Sequence, residues 1–347
     1  MKLGFRINQN NIIILSTLLL IILLYGAGSF LYTGFFSWQV FFNLFIDNAY
    51  LIIVATGLAF VIITGGIDLS VASVVAFISV VSASLLQQGM NAYVVMAICL
   101  IIGILFGAAQ GYLIQRFDLH PWIVTLAGMF LARGASYFIT TQSIVIENST
   151  YLAISKYKIH LVGSNFISVS VIIALAVVIL AVYVAKYTEF GRAVFAIGGS
   201  EKSSVLMGLP VPRITVLVYT LSGFCSALGG IVFTFYMLSG YNLHLMGMEM
   251  DAIAACVIGG ILLTGGFGYL VGPLLGVICS GIIQTIVMYQ GTLSSWWTKI
   301  AVGFLLFLFI LLQRVIVIRR QKRRIISHAP ELPANGGGRD QHAPASV

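Results

Sequence analysis

The chain has 347 residues, of which 60% are hydrophobic and only 8% charged, against about 25% charged in an ordinary soluble domain. That balance excludes a water-soluble globular protein and points to a polytopic membrane protein. Its apolar runs are about 20 residues long, enough for each to cross a ~30 Å hydrocarbon core. The formal net charge of +8 is no sign of nucleic-acid binding, because most of it flanks the apolar runs and reads as a topology signal.

Taken in order, the runs predict ten membrane helices at 12–32, 48–66, 69–88, 92–115, 121–141, 165–186, 213–238, 249–265, 268–290 and 295–317. The fold class is therefore all-α, a polytopic membrane helix bundle occupying 1–318, followed by a cytoplasmic tail over 319–347 that is basic first and disordered from Ser327. The first run, behind Lys2 and Arg6, is longer than a signal-peptide core and is read as an anchor. The aromatic segment 33–47 is expected to lie at the membrane interface, and the polar stretch 142–164 to form an outer loop. Asn148-Ser149-Thr150 fits a glycosylation acceptor but is too short a match to carry meaning.

An even number of spans puts both termini on one side. Counting from a cytoplasmic N-terminus, 14 of the 18 Lys and Arg residues fall inside: Lys2, Arg6, Arg116, four in the loop between the sixth and seventh spans, and seven from Arg314 onward. Two runs, 48–88 and 249–290, are broken only by Thr-Gly-Gly at 64–66 and 264–266. Each break reads either as a cytoplasmic turn or as a helix interrupted within the membrane. The shared tripeptide fits an internal duplication of the kind found in transporters, or two ordinary glycine turns. Small residues at four-residue spacing, Gly103, Gly107 and Gly111, then Gly268, Gly272, Gly276 and Ser280, predict close helix packing, inside the bundle or at a subunit interface.

The loop 186–213, KYTEFGRAVFAIGGSEKSSVLMGLPVPR, is the longest polar-capable interruption. Ser200 is placed to N-cap a short helix over about 201–207, with Gly208 as its left-handed C-terminal residue and Pro210 as its stop. Glu189 and Arg192 would fix the start of the loop, Gly191, Gly198 and Gly199 would permit tight turns before the helix, and Val205, Leu206 and Met207 would offer apolar contact to a partner.

Site chemistry is sparse. No P-loop is present, since Gly199-Ser200-Glu201-Lys202-Ser203 lacks the phosphate-cradling core, so the chain needs no cofactor and any ATP is bound by a separate subunit. The five histidines have no zinc spacing, and no metal is expected. The four cysteines all lie in apolar segments without CxxC spacing and read as buried small hydrophobes. No acid–base or nucleophile–base pair is evident, so the chain is not read as an enzyme. Ionisable groups inside the apolar runs carry the most weight. Asp68, in Gly-Gly-Ile-Asp-Leu-Ser, either caps the helix that follows or touches substrate directly, with Ser70 beside it as a further substrate-pathway candidate. Arg133, Glu249 and Asp251 are secondary candidates for a substrate pathway.

Four ordered segments carry a resemblance: IDNAYLIIVATGLAFVIITGGIDLSVAS (46–73), PWIVTLAGMFLARG (121–134), EFGRAVFAIGGSEKSSVLMGLPV (189–211) and MDAIAACVIGGILLTGGFG (250–268). Through them, and over roughly 43–317, the chain resembles the permease subunits of carbohydrate-uptake ABC transporters of the ribose, xylose and galactose type. Ala72 and Ala127 stand where that family commonly has glycine, which leaves both motifs recognisable. The segment 291–314, GTLSSWWTKIAVGFLLFLFILLQR, is similar to galactofuranose permeases. The resemblance implies a type II-importer-like ABC permease in the bacterial inner membrane, surrounded by membrane lipid. Its implied partners are a periplasmic sugar-binding protein, a cytoplasmic ABC ATPase and a second permease chain, different in the galactofuranose systems, which makes a heterodimer. In that family the central loop carries the coupling helix, which matches 189–211 here. The competing class is an ion-coupled secondary sugar carrier, which would need a proton- or sodium-binding constellation in the membrane.

Overall fold

The computed structural model describes residues 12–162, 164–292, 294 and 296–327. In chain order the elements are α1 (Ile12–Leu31), α2 (Trp38–Ile63), α3 (Val71–Gln87), α4 (Ala92–Arg116), α5 (Pro121–Ile139), β1 (Ile144–Val145), α6 (Ser149–Lys156), β2 (Lys158–Val162) and β3 (Asn165–Ser168). There follow α7 (Val169–Tyr187), α8 (Glu189–Gly199), α9 (Glu201–Leu206), α10 (Val211–Met237), β4 (Ser239–Gly240), α11 (Met248–Ile258), α12 (Gly272–Gln290) and α13 (Trp296–Ser327).

The bundle is built around α2. From Asn48 to Ile63 nearly every residue of this helix is buried, as expected of a helix that is apolar on all sides. It packs against α7, α10, α11 and α12, while α10 also lies along α3 and α4. Each predicted span has a counterpart among the helices, and seven of them, α1, α2, α4, α5, α7, α10 and α12, are long and apolar enough to cross a membrane. Of the other three, α3 has 17 residues and α11 only 11, while α13 runs for 32 and carries the basic run in its second half.

Three sequence expectations need correction. The second helix begins ten residues before the expected 48, at Trp38, N-capped by Ser37, so much of the aromatic segment 33–47 is helical, and the 26 residues of α2 reach about 39 Å. The predicted helix 249–265 ends at Ile258, after which 259–271 runs without regular structure through four glycines of positive φ, Gly260, Gly265, Gly266 and Gly268. Irregular backbone is tolerated at membrane depth where protein covers it. The stretch 142–164 is a structured cap: β1 pairs antiparallel with β4, β2 pairs with β3, and Asn148 caps α6 by accepting from the Thr150 and Tyr151 amides. The last helix continues through the basic run to Ser327; the disorder expected beyond it, and the N-terminal Lys2 and Arg6, lie outside the described residues.

The small-residue stripes are used inside the bundle. A Cβ on Gly103 would fall 2.5 Å from the Gly223 carbonyl oxygen of α10, and one on Gly276 only 1.9 Å from the Ala255 carbonyl of α11. Loops with the same expected sidedness also gather together. At one end β1 meets β4, and Gln39 exchanges hydrogen bonds with the Phe166 backbone. At the other end the two Thr-Gly-Gly breaks meet the loop 188–210.

Candidate functional site

The loop between α7 and α10 is a two-helix platform. Thr188 caps α8 by accepting from the Gly191 amide at 3.1 Å and donates its own hydroxyl hydrogen to Val184 O at 2.6 Å, so the last turn of α7 and the first of α8 share one side chain. Along α8 the residues Gly191, Ala193, Val194 and Ile197 are buried, at the spacing of one helical face. Ser200 then accepts from the Ser203 amide at 3.3 Å to start α9. Gly208, at φ +80, ends it, with Leu209 N donating to Ser204 O. The expected capped helix is therefore present, six residues long. Its tip presents Val205, Leu206 and Met207 at 57%, 88% and 67% exposure, three consecutive apolar side chains left open by the described residues.

The glycines of this loop have a different use from the one expected. None of Gly191, Gly198 and Gly199 forms a turn, for all three belong to α8. Gly191 and Gly198 are points of close approach: a Cβ would lie 2.3 Å from Ala185 O and 1.8 Å from Ile63 O respectively. Gly199 has open space around its Cβ position.

At Gly198 three parts of the chain converge. The Ile63 carbonyl, last of α2, accepts from the Gly266 amide at 2.8 Å, and a Cβ on Gly265 would come 2.9 Å from Gly65 N. The two Thr-Gly-Gly breaks thus touch each other, backbone to backbone, and the end of α8 closes over both. Three residues further, Asp68 is only 2% exposed. Its Oδ1 accepts from the Ser70 amide at 2.9 Å and the Ser70 hydroxyl at 2.7 Å, and its Oδ2 accepts from Ser222 of α10 at 2.7 Å. Ser70, itself 1% exposed and the N-cap of α3, also lies 3.2 Å from the Gln110 carboxamide of α4, and Thr125 of α5 donates to Ile67 O at 3.2 Å. The carboxylate therefore serves the start of α3, as its position in the sequence suggests, and ties it to α10.

Arg133 and Asp251 are not brought to Asp68. Arg133 donates through Nη1 to the Asn242 and His244 carbonyls, and Asn242 returns a bond to Thr140 O at 3.2 Å, which fastens the loop after β4 to α5. His244 in that loop is half-buried, and desolvation lowers its pKa below the usual value, favouring the neutral ring. Asp251 forms an ion pair with Lys299 of α13. The pair borders a cavity of about 490 Å3 that also takes in Asn48, Ser280, Gln284 and Thr298, a volume in the range of small-molecule sites. Sequence reading missed Lys299, although a lone lysine within an apolar run is itself a functional signal, and missed Ser222 and Gln110 as partners of Asp68.

Residues 40–311 match the family described as "Branched-chain amino acid transport system / permease component". The chain is 44% identical to the inner membrane ABC transporter permease protein YjfF of Escherichia coli K12, over 84% of this chain and 89% of the relative. It is 38% identical to the fructose import permease protein FruG of Bifidobacterium longum, over 91% and 94%. It is 32% identical to the ribose import permease protein RbsC of Escherichia coli K12, over 85% and 92%. No solved structure matches the chain.

Proposed function

The chain belongs to the ABC permease family of branched-chain amino acid transport type, and from that premise we propose that it is the membrane-spanning subunit of an ATP-driven sugar importer. Permease components of this kind are not enzymes. The sugar assignment is supported by the relatives named for a substrate, the fructose and ribose import permeases. Within sugars we propose a furanose-form hexose, galactofuranose foremost, on the similarity of 291–314 to galactofuranose permeases.

The observation that carries the reading is the platform of α8 and α9. Its exposed Val205, Leu206 and Met207 suit a cleft on a separate ATPase, and its far end, at Gly198, rests on both helix breaks. A push on α9 would therefore reach α2 and the 259–271 segment directly. Glu189, Arg192 and Gly208 shape that platform: the first two lie in the opening turn of α8 and the last ends α9. The cavity beside Asp251 is the part of the chain best suited to border the sugar route, since it combines amides, hydroxyls and an ion pair with apolar walls. A periplasmic binding protein would deliver the sugar to the end formed by β1, β4 and the β2–β3 hairpin. A second, different permease chain would complete the pathway, and both termini would be cytoplasmic. An ion-coupled carrier finds little support, because Asp68 is fully engaged by Ser70 and Ser222.

Reconstitution with the ATPase, the second permease and the binding protein tests the proposal. Galactofuranose uptake should require ATP hydrolysis and survive an uncoupler. Uptake that collapses with the proton gradient and ignores ATP would overturn the importer reading; ATP-driven uptake of a different sugar would overturn only the substrate.

A further inference from the structure

Two cavities that share one residue outline a shape that fits neither a sugar nor an ATPase. The first, of about 520 Å3, lies at the ends of α4 and α10 and is bordered by Arg116 and Arg213, with Tyr112, Val216 and Leu217 among its walls. Both arginines are exposed, and neither has an acidic partner within salt-bridge distance among the described residues. The second, of about 450 Å3, is a groove between α7 and α10 with α2 as its floor, lined by Phe60, Leu180, Val184, Leu221 and Phe224. Its two hydroxyls, Thr56 on α2 and Thr220 on α10, are spent on Ile52 O and Val216 O, each at 2.7 Å, so the groove makes no polar demand on an occupant. Leu217 borders both cavities.

We propose that these cavities together form a binding site for an anionic phospholipid, with the phosphate between Arg116 and Arg213 and one acyl chain in the groove between α7 and α10. Arg213, Leu217, Thr220 and Phe224 follow one another at the three- and four-residue spacing of a single helix face. From Arg213 to Phe224 that face rises about 16 Å, at ~1.5 Å per residue, which is about half of a ~30 Å hydrocarbon core and so the depth of one leaflet. Arginine suits a phosphate, because its planar fork donates two parallel hydrogen bonds and keeps its charge at an interface. Basic pockets between membrane helices on the inner side hold anionic headgroups by this chemistry. A free phosphate would use the arginines and leave the groove idle, and an ATPase surface would have no use for a channel one leaflet deep.

The test is native mass spectrometry of the full-length permease after delipidation, with phosphatidylglycerol, phosphatidylcholine of the same chains, or inorganic phosphate added back. The wild type should retain phosphatidylglycerol with a preference of about ten- to thirtyfold over phosphatidylcholine, as two arginines near an anionic headgroup would give. Arg116→Gln with Arg213→Gln should remove most of that preference, and Arg116→Lys with Arg213→Lys should keep part of it, which separates charge from folding. Leu217→Trp, obstructing the junction, should lower retention of both lipids at an unchanged melting temperature. Undiminished phosphatidylglycerol preference in the double Gln variant would overturn the site. So would displacement of lipid by inorganic phosphate alone, or a loss of chain pairing without loss of lipid in Leu217→Trp, which would mark the groove as a subunit interface.

Discussion

Gly198 stands against the carbonyl oxygen of Ile63 with no room for a side chain: a Cβ would lie 1.8 Å from it. The same oxygen accepts from Gly266 N, so a methyl group at 198 would push on two chain breaks at once. Gly198→Ala should insert normally, lose the ~1–3 kcal/mol of stability typical of overpacking, read as a lower melting temperature, and uncouple uptake from ATP hydrolysis. Gly199→Ala, one residue on and in open space, should be neutral or slightly stabilising, since alanine is favoured over glycine in helices by about 0.5–1 kcal/mol. Equal effects of the two variants on uptake and ATPase stimulation would show that the close contact transmits nothing.

Leu206 is the most exposed of the three apolar residues on α9. Leu206→Asp should leave the fold intact and weaken ATPase binding by about 2 kcal/mol, roughly thirtyfold, the size of a small-interface anchor. The measurement is co-purification and stimulated ATP hydrolysis in the reconstituted complex. Normal values for both would exclude α9 as the docking element.

For Asp68, asparagine should be tolerated better than alanine. An amide oxygen can still accept from the Ser70 amide, whereas alanine leaves Ser70 N and the Ser222 hydroxyl without their acceptor, at about 1–3 kcal/mol for each buried group left unpaired. Ser222→Ala should be milder than either, since it removes one of the three bonds. Melting temperature and uptake are the readouts. If Asp68→Asn abolishes uptake while its level in the membrane stays normal, the negative charge itself is required.

The Asp251–Lys299 pair is partly exposed, at 24% and 46%, so its contribution to stability should be below about 1 kcal/mol. Its effect on transport should be larger. Asp251→Asn and Lys299→Gln should each raise the KM for sugar with little change in melting temperature. Unaltered uptake kinetics in both would remove this cavity from the route.

Membrane sidedness is open to direct labelling. Cysteines introduced at Lys156, in α6, and at Lys322, in the basic run, should react from outside and inside respectively. Reaction from the same side would break the ten-span alternation.

The positions of the helices were legible because lipid imposes a length and a composition on whatever faces it, and the charge pattern grouped the loops by side. The cap of α9 was legible too, since Ser200 and Gly208 act on neighbours within four residues. By contrast α8 was hidden by its three glycines, which propensity alone reads as breaks, although Ala193, Val194 and Ile197 already marked one face. The end of α11 was hidden for the opposite reason. Hydropathy reports the surroundings and not the backbone, so 259–265 scores the same coiled or helical. The bond from Gly266 N to Ile63 O joins positions some two hundred residues apart, and no local pattern announces it.

The two ends of the bundle also differ in how they would yield under load. Around Ile63, Gly198 and Gly266, main chain bears on main chain with no rotatable side chain between, leaving little slack to absorb a displacement. At the opposite end the segments after α5 and α10 are held by the two residue pairs of β1 and β4 and by the reach of Arg133, a handful of hydrogen bonds that local opening can exchange for water. A twist applied at α9 would pass through the stiff end almost undamped and be taken up where the fastening is weakest, between the segments that β1, β4 and Arg133 hold together.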